Sequence, residues 1–215
     1  MRFRDRREAG LRLLELVRRW PEPPELVLAI PRGGVVVGYE VARGLGAGLD
    51  VLMVRKIGVP GNPELAAGAV SEDGEVYVER EVIALYGLDE SYVFERASSI
   101  LGEVRERAQR LRGGAERLEV RGRSVVLVDD GMATGSTMMA GIRSARRLGA
   151  KSVIVAVPVS SREALMRAAL EADRAEAVFV PDEFFAVGEF YEHFPQVDDE
   201  EVIGLLRAAR AVRGT

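Results

Sequence analysis

The chain contains no cysteine, a single histidine, and only two lysines among its 30 basic residues. Without cysteine, neither a disulfide framework nor a thiolate metal site can form. No apolar run approaches the roughly 18 residues of a membrane-spanning helix. The first residues, Met-Arg-Phe-Arg-Asp-Arg-Arg, lack the apolar core of a secretion signal. Together these absences predict a cytoplasmic protein with no membrane partner.

The composition that remains predicts one α/β domain over residues 1–215. An apolar fraction of 47% in 215 residues is enough for a single core. Apolar segments of strand length alternate with segments that are apolar at helical spacing. This alternation favours a twisted, mostly parallel sheet with helices on both faces. The net charge of −4 offers no broad basic face, so we expect no nucleic-acid partner.

The segment 124–138 carries the strongest functional pattern in the chain. A buried strand is predicted at 125–128, and it ends in two adjacent carboxylates, Asp129 and Asp130. Small and hydroxylic residues follow, and then a run begins that is apolar at helical spacing. Backbone N–H groups at a helix start bind anions, and glycine allows close approach. The pattern predicts a phosphate site beside carboxylates that bind sugar hydroxyls or a hard cation. The alternative is a capped, solvated acidic loop.

A second strand–turn–helix unit lies earlier in the chain, with a strand at 26–30 and a helix at 35–45. Its turn is Pro31-Arg32-Gly33-Gly34, in which paired glycines expose backbone N–H groups and Arg32 can bind phosphate oxygens bidentately. By itself this tetrapeptide is equally compatible with a plain turn. The next predicted strand, 49–54, ends at Arg55 and Lys56. Such a pair faces the crevice of a parallel sheet or, alternatively, only solvent.

The rest of the chain supplies further elements and one aromatic segment. Before the phosphate pattern, the sequence predicts a helix at 5–19 with solvated arginines, a long flexible loop at 57–69 and a hairpin at 69–78. A polar helical excursion follows at 89–119, and it covers the sheet edge or forms an oligomer contact. The elements predicted after the phosphate pattern are a strand at 152–159, a helix opened by a Ser160–Glu163 capping box, a strand at 177–180 and a helix after 198. Residues 184–194 hold five of the thirteen aromatic side chains. They either bind a flat ring by stacking or pack the C-terminal segment onto the core. His193 fits a structural or exposed role better than a catalytic one.

The segment 125–137 closely resembles the ribose-phosphate signature of type I phosphoribosyltransferases, and it is not a Walker loop because no lysine follows its glycines. The resemblance extends over residues 31–180. It implies that family's twisted α/β fold with a flexible lid loop and a small hood. The implied layout is a core at 26–180, the helical excursion and a hood at 181–197. The implied activity is transfer of a 5-phosphoribosyl group from PRPP to a nitrogen acceptor such as a nucleobase, with Mg²⁺ and release of pyrophosphate.

The resemblance also implies roles for individual residues, and each set below shares one role. The catalytic residues are Asp129, Asp130 and Lys56. The 5′-phosphate cradle is Ala133, Thr134, Gly135, Ser136 and Thr137, with hydroxyl donors from Thr134, Ser136 and Thr137. The pyrophosphate-binding residues are Arg32, Gly33, Gly34, Arg55 and Lys56. The acceptor pocket is Phe184, Phe185, Phe190 and Tyr191. The metal is reached through PRPP oxygens and water near the two aspartates, without an all-protein cage.

One departure from the family pattern, and one position that varies within the family, keep alternatives open. Several members carry a lysine inside the lid, whereas this chain has none between Lys56 and Arg80. Asn62, Glu64 or a basic residue from a neighbouring subunit of a homo-oligomer could serve instead. Ala133 stands where hypoxanthine-guanine enzymes have an acid, so the chain looks less like those. A PRPP-sensing regulator on the same fold is the main alternative, and a different phosphosugar enzyme is the weaker one.

Overall fold

The computed structural model describes residues 1–213. The strands are β1 Leu26–Ala29, β2 Gly48–Val51, β3 Val54–Val59, β4 Asn62–Ser71, β5 Val76–Val78, β6 Ser124–Val128, β7 Ser152–Val159 and β8 Arg174–Phe179. The helices are α1 Arg6–Val17, α2 Gly33–Leu45, α3 Arg80–Leu85, α4 Glu90–Leu111, α5 Ser136–Arg147, α6 Arg162–Glu171 and α7 Asp199–Arg213, with a 3-10 turn at Val187–Phe190. No helix in the described range is long and apolar enough to cross a membrane.

A five-stranded parallel sheet forms the centre, in the order β2-β1-β6-β7-β8. Alternate residues of its strands enter different apolar clusters, because side chains of a strand point to opposite faces. Val27 and Val126 cluster with residues of α1 and α2. Leu28 and Leu127 cluster with residues of α5 and α6. The predicted α/β fold with helices on both faces is thereby confirmed.

The prediction of one strand at 49–54 is wrong, because the chain changes sheets within it. β2 ends at Val51, and β3 starts at Val54 in a separate antiparallel sheet of order β3-β4-β5. Leu52 and Met53 between them are buried, so the apolar run gives no sign of the change. Consequently Arg55 and Lys56 lie inside β3 and not at the carboxyl end of a strand of the parallel sheet.

The expectation of a structureless loop at 57–69 is also wrong. β3 and β4 form an antiparallel hairpin around Pro60-Gly61, with Gly61 at φ 79° and an irregular register near Gly58. Glycine, alanine and proline suggested a loop, but here small residues permit close packing. A Cβ added at Gly68 would meet the Tyr77 carbonyl oxygen at 2.3 Å. The hairpin predicted at 69–78, between β4 and β5, is confirmed.

Several smaller boundaries also differ from the prediction. The α6 N-cap is Ser161, whose hydroxyl accepts from the Ala164 N–H, whereas Ser160 is buried in a bridge to Met132. Within the predicted helical excursion, α4 ends at Leu111, just before Gly113 and Gly114, two residues that disfavour a helix. β8 begins earlier than predicted, at Arg174. The Asp5 cap of α1 is confirmed, as its carboxylate accepts from the Glu8 N–H.

A buried ionic cluster ties the two sheets together. The Arg112 guanidinium, at the end of α4, bonds Asp50 of β2 at 3.0 Å and Glu72, just after β4, at 2.8 Å. It also donates to the Val51 carbonyl at 2.9 Å. Every charge in this cluster has a partner, as burial requires. The cluster fixes the small sheet, and with it the strand that carries Lys56, against the parallel sheet.

Candidate active site

The two acids follow β6 directly and lie against the glycine pair that begins α2. A Cβ added at Gly33 would lie 1.9 Å from the Asp130 carboxylate, and one added at Gly34 would lie 2.9 Å from the Asp129 Cα. The glycines are therefore required for space. The two patterns that the sequence analysis singled out separately form one site at the carboxyl edge of the parallel sheet, where ligands of such folds bind.

Asp129 carries a charge that its surroundings disfavour. Burial and, secondarily, the neighbouring Asp130 charge raise its pKa well above the ordinary value of 3.8. Its Oδ1 accepts a hydrogen bond from the Asp130 N–H at 2.8 Å, and the charge of Lys56 partly offsets the shift. A carboxylate in this condition gains from any cation or hydroxyl donor that a ligand brings.

Asp130 is held by two residues that the sequence analysis did not assign to this role. Arg6 of α1 donates from Nε to Asp130 Oδ2 at 2.7 Å, with only 10% and 15% of the two side chains exposed. The expectation that the arginines of α1 all face solvent is therefore wrong for Arg6. The Tyr191 hydroxyl donates to the Asp130 carbonyl at 2.6 Å. Burial raises the Tyr191 pKa, which keeps that hydroxyl protonated.

The loop at 131–135 leads into α5 and has the form of an anion cradle. Gly135 sits at φ 84°, a conformation that favours glycine, and places Ser136 at the first position of the helix. Ala133 and Thr134 are exposed and Thr137 is partly exposed, so their N–H groups and hydroxyls are within reach of a ligand. An anion there would meet the positive end of the helix dipole.

Ser136 differs from its neighbours in the loop. Its side chain is 0% exposed and its hydroxyl donates to Glu79 Oε1 at 2.7 Å. The backbone N–H of Ser136 remains at the helix start, but its hydroxyl proton is already committed. The role predicted for that hydroxyl as a phosphate donor therefore does not match this geometry.

The residues expected to bind pyrophosphate lie at the start of α2 and within β3. Arg32 follows a cis peptide bond after Pro31 and lies 3.8 Å from Asp199 at the start of α7. Arg55 is paired with Glu103 at 2.6 Å, and both side chains are exposed. The Lys56 side chain is exposed and has no hydrogen bond or ion pair within residues 1–213, although its charge acts on Asp129.

The four aromatic residues predicted to form the acceptor pocket divide into two groups. Phe190 and Tyr191 are buried against Phe3, with Phe184 packed 4.9 Å from Phe190 between ring centroids. Phe185 is 78% exposed. The first group thus serves packing, which is one of the two interpretations that the sequence allows. His193 is exposed and contributes only its backbone N–H, to the Arg4 carbonyl.

The donor set suits a cation that arrives with its own ligands. Among residues 1–213 there is no group of three or more Asp, Glu, His or Cys side chains that could hold a metal ion. Mg²⁺ usually takes one or two carboxylates together with water and substrate phosphates. Asp129 and Asp130 fit that arrangement.

Comparison with known proteins identifies the family. The model of the phosphoribosyl transferase domain matches residues 12–191, and the chain belongs to that family. Two curated Mycobacterium tuberculosis proteins, from strains CDC 1551 / Oshkosh and ATCC 25618 / H37Rv, are 42% identical over 207 residues, or 96% of this chain. Both are provisionally named phosphoribosyl transferases. The chain spans about half of their length, 47%.

The fold of the chain is similar to that of a solved structure. The crystal structure of TT1426 from Thermus thermophilus is 47% identical in sequence and has a TM-score of 0.80. The match covers 96% of this chain and 98% of that one. The family resemblance seen in the sequence of residues 125–137 is thus confirmed at the level of family and fold.

Proposed function

We propose that the protein transfers a 5-phosphoribosyl group from PRPP to a nitrogen acceptor, such as a nucleobase, and releases pyrophosphate. The observation that carries the proposal is the meeting of three features at one sheet edge. These are the acid pair Asp129–Asp130, the glycine turn at Gly33–Gly34, and the open phosphate loop at 133–137. They match the ribose, the pyrophosphate and the 5′-phosphate of PRPP.

Each part has a definite task in the reaction. The loop N–H groups and the hydroxyls of Thr134 and Thr137 bind the 5′-phosphate. Asp129 and Asp130 orient the ribose hydroxyls and stabilise positive charge as the C1–O bond to pyrophosphate breaks and the bond to nitrogen forms. Arg32 and Lys56 bind the leaving group. Asp129 and Asp130, together with PRPP oxygens and water, would hold Mg²⁺, which would offset the charge of that group.

The proposal is tested with a panel of nucleobases and PRPP in the presence of Mg²⁺, scored by release of pyrophosphate. Release with one base, absent without that base, supports transfer and names the acceptor. Binding of PRPP without release for every acceptor tested would overturn the enzymatic proposal and favour a PRPP-sensing regulator. The absence of a lysine in the hairpin between Lys56 and Arg80 makes this second outcome worth measuring.

A further inference from the structure

Glu79 is a buried acid close to the phosphate loop, where a negative charge should weaken binding of an anion. It lies between β5 and α3 and is 7% exposed. One carboxylate oxygen accepts from the Ser136 hydroxyl at 2.7 Å, and the other accepts from Arg167 of α6 at 2.6 Å. A buried charge persists only when its hydrogen-bonding capacity is filled, and both of these partners belong to the surroundings of the loop.

Arg167 completes the arrangement from the opposite side. Its Nη1 donates to the Thr134 carbonyl at 3.1 Å, and its Nη2 bonds the Tyr77 hydroxyl as well as Glu79. The planar guanidinium thus connects α6, β5 and the loop backbone in one fixed geometry. Its positive charge also balances Glu79, so the pair adds no net negative charge near the cradle.

This network determines to which acceptor each hydroxyl in the loop donates its proton. A carboxylate can only accept, so the single Ser136 proton goes to Glu79. The Thr134 hydroxyl, 3.2 Å from the Ser136 oxygen, then donates to it while no ligand is bound. The bond to Glu79 therefore fixes Ser136, the first residue of α5, and Ser136 in turn orients Thr134. The hydroxyls left for a phosphate are those of Thr134 and Thr137.

We propose that Glu79 and Arg167 are positioning residues for the 5′-phosphate cradle, acting through Ser136 and the Thr134 carbonyl. This inference rests on the proposed function, since it assigns that cradle to the phosphate of PRPP. It also links the small antiparallel sheet to the cradle, because Glu79 directly follows β5. Neither residue needs to touch the substrate.

The test measures binding of ribose 5-phosphate and of pyrophosphate separately, by calorimetry, in Glu79→Gln, Arg167→Met and Ser136→Ala. We expect each variant to bind ribose 5-phosphate about tenfold more weakly, the usual effect of one lost hydrogen bond to a charged group. Pyrophosphate affinity should stay within about twofold, because that ligand binds a distant part of the site. Matched controls are Glu81→Gln on α3 and Arg162→Met on α6, two exposed residues that should change neither affinity.

A double variant separates positioning from direct contact. If Ser136 acts through Glu79, Glu79→Gln combined with Ser136→Ala should lose no more affinity than the weaker-binding single variant. Additive losses, or a loss in Ser136→Ala with none in Glu79→Gln, would overturn the inference, since the hydroxyl would then bind phosphate itself. Equal losses for both ligands would also overturn it, by indicating general damage to the fold.

The wild-type measurement distinguishes this inference from the proposed function. If the wild type binds neither PRPP nor ribose 5-phosphate, the proposed function fails and the inference falls with it. If the wild type binds both and the variants bind equally well, only the inference fails. Ser136→Ala keeps the Glu79–Arg167 ion pair, so unchanged ribose 5-phosphate affinity in this variant overturns the inference even if a variant of that pair does not fold.

Discussion

The proposed phosphate loop at 133–137 is held by buried contacts, whereas the cations are open to solvent: Arg32 in part, and Arg55 and Lys56 on β3 more fully. Behind the loop, Ser136 bonds Glu79, and Ser161 donates to the Ala133 carbonyl at 2.7 Å. Among the cations, Arg55 forms an ion pair with Glu103, and Arg32 forms a longer one with Asp199. One half of the site is formed before a ligand arrives, and the other half is not.

This contrast indicates which half sets the position of a ligand and which half responds to it. Buried hydrogen bonds in a filled network are difficult to rearrange, so the loop presents its N–H groups at little reorganisation cost. Exposed ion pairs contribute at most about 1 kcal/mol and exchange partners readily. We therefore expect the monophosphate end of PRPP to bind to a preformed cradle. We expect the pyrophosphate end, in contrast, to draw the solvent-accessible cations toward it.

The largest effect is expected where the two halves meet. Asp129→Asn together with Asp130→Asn should reduce transfer by at least about 10³-fold, because both stabilising charges beside C1 are lost. The fold should survive, since each asparagine keeps the shape of its aspartate and the amide oxygen of the residue at 130 can still accept from Arg6. Steady-state kinetics and thermal unfolding provide the two readouts.

The control for the double variant is Glu95→Gln with Glu106→Gln, which neutralises two exposed acids on α4 far from the glycine turn. It should leave transfer unchanged. If the aspartate variant kept full turnover, the role assigned to the acid pair would be wrong.

How much of this contrast was visible in the sequence depends on how local each feature is. Asp129, Asp130 and the loop to Thr137 are contiguous, so a strand, two acids and a helix start could be recognised together. Arg6, however, is 124 residues from Asp130, and Glu79 is 57 residues from Ser136. Nothing in a linear pattern of arginines or glutamates distinguishes the buried member from the solvated ones.

The position of the strand that carries Arg55 and Lys56 was harder to predict for a different reason. The apolar run at 49–54 continues through buried Leu52 and Met53, so it hides the passage from the parallel sheet to the antiparallel one. Lys56 was consequently expected at a strand end and instead lies within β3. Hydrophobic periodicity reports burial, and it does not report which sheet a buried residue joins.

Lys56→Met tests whether the half of the site with the solvent-accessible cations binds the pyrophosphate leaving group. Its charge is unpaired within residues 1–213 and acts on Asp129, so we expect PRPP and pyrophosphate to bind roughly 10- to 100-fold more weakly. Ribose 5-phosphate affinity should be nearly unchanged. Lys151→Met, which replaces the other lysine of the chain at an exposed site, is the matched control. Equal losses of ribose 5-phosphate binding would contradict the division into two halves.

Asp129→Asn gives a pH-dependent stability effect of modest size. The folded-state pKa of Asp129 is raised, so the proton-bound form favours folding and that contribution is lost as pH rises above the ordinary value of 3.8. We expect the variant to be more stable than the wild type near neutral pH, with the difference shrinking toward pH 4. Chemical denaturation across this range checks it. A pH-independent difference would mean that Asp129 is not strained by burial.

The smallest effect is expected from Glu103→Gln, which releases Arg55 from its exposed ion pair. Because such pairs are weak, freeing the guanidinium should tighten pyrophosphate binding by only about two- to threefold. Glu106→Gln on the same helix, whose carboxylate has no ion pair with Arg55, should have no effect. Weaker binding in Glu103→Gln would mean that the glutamate holds Arg55 in a productive position. The open half would then be as preorganised as the phosphate loop, and the contrast between the two halves would be lost.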